Sequence, residues 1–348
     1  MNNSRWRRKR KRWLDRHCRV ERVNRIRRYQ SGNRSESENE SPYVIKTQNE
    51  KSPPYVWIIP PKNFSLISNT EETMRFFMHF AKELEKKESG KVFFVDSSEV
   101  ELVTADALIY VIAILENEQL NKLMKYSFSG NYPVNEEAKK IYAESGFNDY
   151  VNSKMKRLPR STEKMCITSG TRNQSTIARD LCDFLIRTLG KNRIQIKPMQ
   201  KILIELMSNV YYHAYEKNTF MAKKWYLYAE HIDNKVNCIF VDTGKGIAKT
   251  VRKNFKEKIE RLFGVGTKDS ELIESAFEGE FRTQTGEDYR GNGLSSVKRN
   301  AGNILFEGFE VVSGHGRCVY PNDLENENRK AINYPTMLYG TLYTFTIR

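Results

Sequence analysis

A helix-spaced group of polar residues in the C-terminal half of the chain has the residue types that chemistry requires. In ELMSNVYYHAYE, Glu205, Asn209 and His213 recur every four residues and so share one face of a predicted helix, beside an apolar stripe. A carboxylate so placed can accept a proton, and an amide oxygen can bind a hard cation such as Mg²⁺. The same residues would also fit an exposed helix face, so the choice depends on the residues further along the chain.

Two glycine-bearing stretches, FVDTGKGIAKT and RGNGLSSVKRN, come after this predicted helix. Asp242 ends a predicted strand, and Gly244 and Gly246 allow a backbone to approach a ligand without a Cβ atom in the way. Gly291 and Gly293 precede a predicted helix, whose N-terminal N–H groups can bind an anion. Together these stretches favour a site for a phosphate-bearing ligand.

Spacing excludes two common nucleotide motifs at the first glycine stretch. A P-loop would need glycine at positions 243 and 248, which hold Thr243 and Ala248. A dinucleotide fingerprint beginning at Gly244 would need glycine or alanine at position 249, which holds Lys249.

In order and spacing, the stretches resemble the motifs of the GHKL (Bergerat-fold) ATPase superfamily, which includes gyrase, a class of heat-shock chaperones, histidine kinases and the MutL mismatch-repair proteins. Glu-x-x-x-Asn followed by His-Ala-Tyr is nearest to the anti-sigma-factor serine kinases within it. The matching residues are Glu205 and Asn209; Asp242, Gly244 and Gly246; Gly291, Gly293 and Leu294; and Gly340 with Thr341.

The resemblance implies that Mg-ATP is the ligand and gives each matching residue a role. Asn209 would contribute its amide oxygen to Mg²⁺, and Glu205 would be the catalytic base. Asp242 would accept a hydrogen bond from the adenine amino group, supported by Thr341. The second glycine pair and Leu294 would open the helix that binds the phosphates. We also expect His213 to be a supporting or core residue. A weaker hypothesis is that Arg282, Thr283 and Arg290 form a lid that closes over the triphosphate.

The N-terminal half alternates predicted strands and helices, with a helix at 70–87 capped by Thr70. VFFVDSSEVELVTADALIYVIAIL resembles the STAS domain of anti-anti-sigma factors, in which a serine at a helix head accepts phosphate. Here the helix head is Thr104-Ala105-Asp106, without that serine. We therefore expect a docking or sensing module that is not phosphorylated, with Thr104 as an ordinary helix cap.

The predicted fold class is α/β and α+β: a STAS-like sheet with packed helices, then a Bergerat α/β sandwich whose mixed sheet is covered by helices on one face. The predicted boundaries are a basic leader and linker at 1–50, the STAS-like domain at 51–157, a linker at 158–173 and the ATP-binding domain at 174–348. The sequence ends with the last motif, so no further domain is expected behind it.

The net charge of +15 is concentrated in residues 1–30, which hold thirteen Lys or Arg residues and two acids. Such a block is often a solvated tail, but residues 5–28 could also bind nucleic-acid phosphates without sequence preference, or an anionic membrane surface.

Composition excludes several classes of protein. The longest apolar run, at 107–115, is far shorter than a transmembrane span, and no apolar signal-peptide segment comes after the basic N-terminus. Five scattered cysteines without a CxxC motif argue against a disulfide framework or a zinc site. We therefore expect a cytoplasmic protein without a transmembrane segment.

The functional hypothesis is a Mg-ATP-dependent ATPase or a protein serine/threonine kinase that acts as a signalling regulator, with a protein partner or self-association. A histidine kinase is excluded, because His79 is followed by Phe80 and Leu84 instead of the acidic residue and proline of a phosphoacceptor helix. One alternative is an ATP-gated nucleic-acid-associated ATPase that uses the leader. Another is a module that binds ATP without hydrolysing it, against which Glu205 argues.

Overall fold

The computed structural model of the protein is a mixed α/β structure in which residues 42–348 form one compact unit. The predicted leader, including the proposed nucleic-acid segment 5–28, lies outside the described residues. The residues described are 42–47, 55–86, 91–116, 127–151, 161–212, 222, 224–263, 266–281, 293–321 and 330–348.

The N-terminal region, residues 42–151, alternates strands and helices as its sequence pattern predicts. Its elements are β1 (Val44–Thr47), β2 (Tyr55–Ile58), β3 (Asn63–Phe64), α1 (Thr70–Glu85), β4 (Val92–Val95), β5 (Leu102–Val103), α2 (Ala105–Leu115), β6 (Ser127–Gly130), α3 (Glu136–Glu144) and a 3₁₀ turn (Phe147–Asp149).

The main sheet of this region has the order β1-β2-β4-β6. β1 is antiparallel to β2, and β2, β4 and β6 are parallel to one another, since helices connect them. β3 and β5 form a separate parallel pair. Helix α2 is buried from Ala105 to Ile114 and is apolar except for Asp106 in its first turn, which accepts from Leu66 N–H at 2.6 Å, as suits a helix enclosed between two layers.

The C-terminal region, residues 161–348, is a second sheet with helices. Its elements are β7 (Lys164–Gly170), α4 (Ser175–Leu189), α5 (Arg193–Tyr212), β8 (Trp225–Ile232), β9 (Lys235–Asp242), α6 (Ile247–Asn254), α7 (Lys256–Phe263), α8 (Asp269–Glu278), α9 (Gly293–Ala301), β10 (Phe306–Pro321) and β11 (Lys330–Ile347).

This second sheet has the order β10-β11-β9-β8-β7, and every described strand pair in it is antiparallel. The expected mixed sheet is therefore wrong for the part of this region that the structure describes. Consecutive strands such as β8 and β9 are joined by a tight turn at Asp233-Asn234, where both residues have positive φ. Such hairpin connections produce antiparallel neighbours.

Both faces of the second sheet are buried, because side chains alternate between two cores. On β9, Cys238 and Phe240 pack with helices α4 to α9, whereas Ile239 and Val241 pack with helices α1 and α2 of the N-terminal region. The sequence predicted helices on one face only. The other face is covered by the helices of the first region.

The structure differs from the predicted boundaries at two strands. β1 lies within the predicted leader and linker 1–50, and β7 lies within the predicted linker 158–173. Both are edge strands. β7 is only partly buried along most of its length, so its sequence KMCITSG lacks the continuous apolar run of a central strand.

The structure corrects the predicted cap of α1 and bears out the position of the predicted cap of α2. Asn69 occupies the cap position of α1, and Thr70 is the first helical residue, its hydroxyl donating to the carbonyl oxygen of Leu66 at 2.8 Å. Thr104 does occupy the cap position of α2 but forms no capping hydrogen bond through its side chain. Among the helices that the structure describes, none combines the length and apolarity needed to cross a bilayer.

Candidate functional site

Helix α5 carries the first group of predicted site residues, and its start is fixed by a reciprocal cap. Asn192 Oδ1 accepts from the N–H groups of Ile194 (3.0 Å) and Gln195 (3.1 Å), and Gln195 Oε1 accepts from Asn192 N–H at 2.9 Å. The buried residues Leu206 and Val210 anchor the helix in the core beneath the second sheet.

Glu205 and Asn209 lie beside this apolar stripe and are partly buried, as the four-residue spacing predicts. Burial raises the pKa of the Glu205 carboxyl above its ordinary value. A carboxylate with a raised pKa is a better proton acceptor than an exposed one. His213, the third member of the predicted stripe, lies outside the described residues.

The first residue of α9, Gly293, lies against both side chains. A Cβ atom at Gly293 would lie 3.0 Å from Asn209 Oδ1 and 3.4 Å from both Asn209 Nδ2 and Glu205 Oε2. The missing side chain therefore leaves the amide and the carboxylate in direct contact with a helix N-terminus, which attracts anions. Leu294 packs partly buried against the core, and Gly291 lies outside the described residues.

Asp242 forms the centre of a second group, at the end of β9. It pairs directly with Thr341 on β11, and its Oδ1 accepts from Gly244 N–H at 2.9 Å. Burial raises the pKa of the Asp242 carboxyl to about 6, although hydrogen bonds from Gly244 N–H and the Thr341 hydroxyl oppose the rise. The carboxyl still has acceptor capacity beyond these two bonds.

Alternation along the strands places the two groups on one side of the sheet. Side chains two residues apart on a strand share a face. Asp242 is therefore on the same face of β9 as Cys238 and Phe240, and Thr341 on the same face of β11 as Tyr343 and Phe345. These apolar residues pack in the core that contains α5. The Asp242 and Thr341 side chains therefore point toward the helical layer that carries Glu205 and Asn209.

Close backbone packing at Gly246 and Gly340 shapes this second group. Both residues have positive φ, +80° and +82°, which disfavours other residue types. A Cβ atom at Gly340 would lie 2.0 Å from the carbonyl oxygen of Asp242, and one at Gly246 would lie 2.8 Å from Ser313 Oγ.

Ser313 is a site residue that the sequence interpretation missed. Its buried hydroxyl accepts from Ile247 N–H (2.8 Å), donates to the carbonyl oxygen of Gly340 (3.1 Å) and lies 3.2 Å from Thr341 Oγ1. It thus joins the start of α6 to the last motif. A single serine in a strand carries no sequence signal for such a role.

The remaining predicted residues, Arg282, Thr283 and Arg290 of the suggested lid, lie outside the described residues. Within the described part of the chain no cluster of three or more His, Cys, Asp or Glu side chains could hold a metal ion. The amide oxygen of Asn209, near the helix N-terminus, fits a cation that takes few protein ligands and shares phosphate oxygens, as Mg²⁺ does.

No protein-family model matches the chain, and no curated protein matches it.

Proposed function

We propose that the C-terminal region is a GHKL-type domain that binds Mg-ATP and hydrolyses it or transfers its γ-phosphoryl group to a protein. The observation that carries this proposal is the contact of Gly293, at a helix N-terminus, with both Asn209 and Glu205. Residues from two separate motifs thus meet at one helix N-terminus, as the proposed phosphate and metal site requires.

The adenine end of the proposed site is the pair Asp242 and Thr341. A partly buried carboxylate opposite a hydroxyl can accept from the adenine amino group, and this gives selectivity because a wrong base would leave the acceptor unpaired. Gly244, where a Cβ atom would lie 3.0 Å from Asp242 Oδ1, would leave that carboxylate open to the base, whereas Gly246 supports the site through its close packing on Ser313.

The phosphate end is the N-terminus of α9 with Glu205 and Asn209. The N–H groups of the first turn of α9 would bind phosphate oxygens, and Asn209 Oδ1 would hold Mg²⁺. When bound, the metal ion neutralises charge on the β- and γ-phosphates. Glu205 would orient a water molecule or an acceptor hydroxyl and take its proton.

The proposal for the N-terminal region is a STAS-like docking or sensing module. One support is the strand order β1-β2-β4-β6, with one antiparallel edge strand and parallel strands joined by helices. Another is the position of α2, which is separated from the end of strand β5 by one residue. Thr104 Oγ1 at the head of α2 is buried, which agrees with a module that is not phosphorylated.

Incubation of the full chain with γ-labelled Mg-ATP, alone and with a cell extract, tests the proposed reaction. Label in free phosphate would indicate an ATPase, and label on a protein a kinase. Glu205→Ala should retain ATP binding and lose turnover by a factor on the order of 100 or more, since the proton acceptor is removed.

Two results would contradict this assignment. Unchanged turnover in Glu205→Ala would remove the base from position 205, and bound ATP without any turnover in the native protein would leave a binding module. If DNA or RNA changed turnover severalfold at about 0.15 M salt, and deletion of residues 1–40 abolished that response, the nucleic-acid-associated alternative would be favoured.

A further inference from the structure

In the second sheet, β9, which ends at Asp242, lies between β11 and β8. Helix α2 of the N-terminal region forms hydrogen bonds to β11 and to the segment that leads into β8. At one side, the hydroxyl of Tyr110 donates to the carbonyl oxygen of Tyr339 at 3.0 Å. Tyr339 directly precedes Gly340 and Thr341, the strand segment that pairs with Asp242. Tyr110 is only 2% exposed, so this bond is formed away from solvent.

At the other side, the C-terminal end of α2 holds the segment that leads into β8. The backbone N–H of Ala222 donates to the carbonyl oxygen of Ala113 at 2.7 Å. Glu116 accepts from Lys224 Nζ at 2.9 Å through one carboxylate oxygen and from the hydroxyl of Tyr226 at 2.8 Å through the other. Both oxygens of Glu116 are therefore used to position this segment, and one of the bonds is between opposite charges.

The same segment is bonded in turn to the residue after Asp242. The Thr243 hydroxyl accepts from Lys224 N–H at 3.1 Å and lies within donating distance of the carbonyl oxygens of Ala222 and Lys224, the latter at 2.7 Å. Thr243 N–H donates to the carbonyl oxygen of Lys224 at 3.3 Å. Since Thr243 is 3% exposed and lies between Asp242 and Gly244, its position determines where the acidic motif lies.

We propose that Tyr110 and Glu116 are positioning residues for nucleotide binding, by which the N-terminal region sets the geometry of the adenine end of the site. This inference rests on the proposed ATP site. It extends that proposal, because the two residues belong to the other region of the chain and are absent from the nucleotide motifs. Any event that shifts α2 would then change affinity for the base and leave the phosphate end unaffected.

The test measures the affinity of full-length variants for Mg-ATP and Mg-ADP, with turnover at saturating ATP. Tyr110→Phe, which loses one buried hydrogen bond, should weaken binding of both nucleotides by about threefold to tenfold. Glu116→Ala, which loses two bonds, should weaken it by about tenfold or more. Glu116→Gln keeps the shape and one acceptor oxygen but loses the charge and the second acceptor oxygen, so it should recover only part of the affinity. The rate at saturation should change less than about twofold, because the effect lies at the base end.

Matched controls separate positioning from a general effect on folding. Tyr142, 4% exposed, donates to Ser97 Oγ at 3.2 Å within the N-terminal region, so Tyr142→Phe removes a comparable buried hydroxyl without touching the second sheet. Glu101 pairs with Lys62 at the surface, so Glu101→Ala, which removes an acidic partner away from the second sheet, is the control for Glu116→Ala. Both control variants should bind nucleotide like the native protein.

Hydrogen exchange without nucleotide gives a second measurement. Amides of residues 224–226 and 242–246 should exchange faster in Glu116→Ala than in Glu101→Ala, because the anchored segment loosens. Native-like affinity and exchange in Glu116→Ala and Tyr110→Phe would overturn this inference while leaving the ATP site intact. Failure of the native protein to bind ATP would overturn the proposed function and this inference together.

Discussion

The Asp242 carboxyl combines two properties that a base-recognition group needs. It is fixed by Gly244 N–H and by its partner strand, and it lies in an environment that raises its pKa to about 6 from 3.8. A carboxylate that is fixed but incompletely paired gains most from a ligand that donates a hydrogen bond.

This raised pKa predicts a pH dependence of nucleotide affinity. The ionised carboxylate is the better acceptor for the adenine amino group, and it is lost as pH falls through about 6. Calorimetric titrations should therefore show affinity falling by about tenfold between pH 7 and pH 5. Asp242→Asn cannot titrate at this position, so the pH dependence of its nucleotide affinity should come only from the nucleotide's phosphates. Identical pH profiles for the native protein and this variant would contradict the assignment.

A second prediction at the residue scale concerns Thr104. Its hydroxyl oxygen is buried at the start of α2, so a γ-phosphoryl group cannot reach it without local opening. Mass spectrometry after incubation with Mg-ATP should detect no phosphate between residues 95 and 110. Stoichiometric phosphate on Thr104 would instead make the N-terminal region a substrate.

At the scale of elements, the packing of α9 against α5 decides whether the phosphate end can form. Gly293→Ala would place a methyl group 3.0 Å from Asn209 Oδ1, closer than normal packing allows. Because the new methyl group should displace the Asn209 amide, we expect Mg-ATP affinity to fall by about tenfold, which corresponds to about 1.4 kcal/mol. Gly302→Ala near the end of the same helix, where the new Cβ lies 3.5 Å from its nearest neighbour, should bind normally. Equal affinity in both variants would contradict the proposed contact.

The elements that carry the motifs were predictable because local rules determine them. The four-residue spacing of Glu205 and Asn209 specifies a shared helix face. Gly146, which follows α3, has the positive φ that is typical of a glycine at a helix end. Ser313 could not be predicted, because its role depends on the register between β10 and β11, which no local pattern specifies. The same limit applies to β7, an edge strand with a weak apolar pattern.

At the scale of the whole molecule, the main feature that the sequence did not predict is the double burial of the second sheet. The apolar run of α2 predicted a buried helix but not which surface would cover it. In the structure, α2 packs against Ile239 and Val241 of the strand that ends at Asp242. The N-terminal region is therefore part of the core beneath the proposed site, which makes coupling between the two regions a physical expectation.

Calorimetric titration of the full-length protein with Mg-ATP tests the central claim most directly. The native protein should bind ATP, and Asp242→Asn should lose about 1–3 kcal/mol of binding free energy, because an amide replaces the carboxylate acceptor and leaves a buried partner poorly matched. Asp233→Asn makes the same chemical change at the exposed turn between β8 and β9 and should bind like the native protein. Equal ATP affinity in all three proteins, or no binding by the native protein, would contradict the assignment of this site.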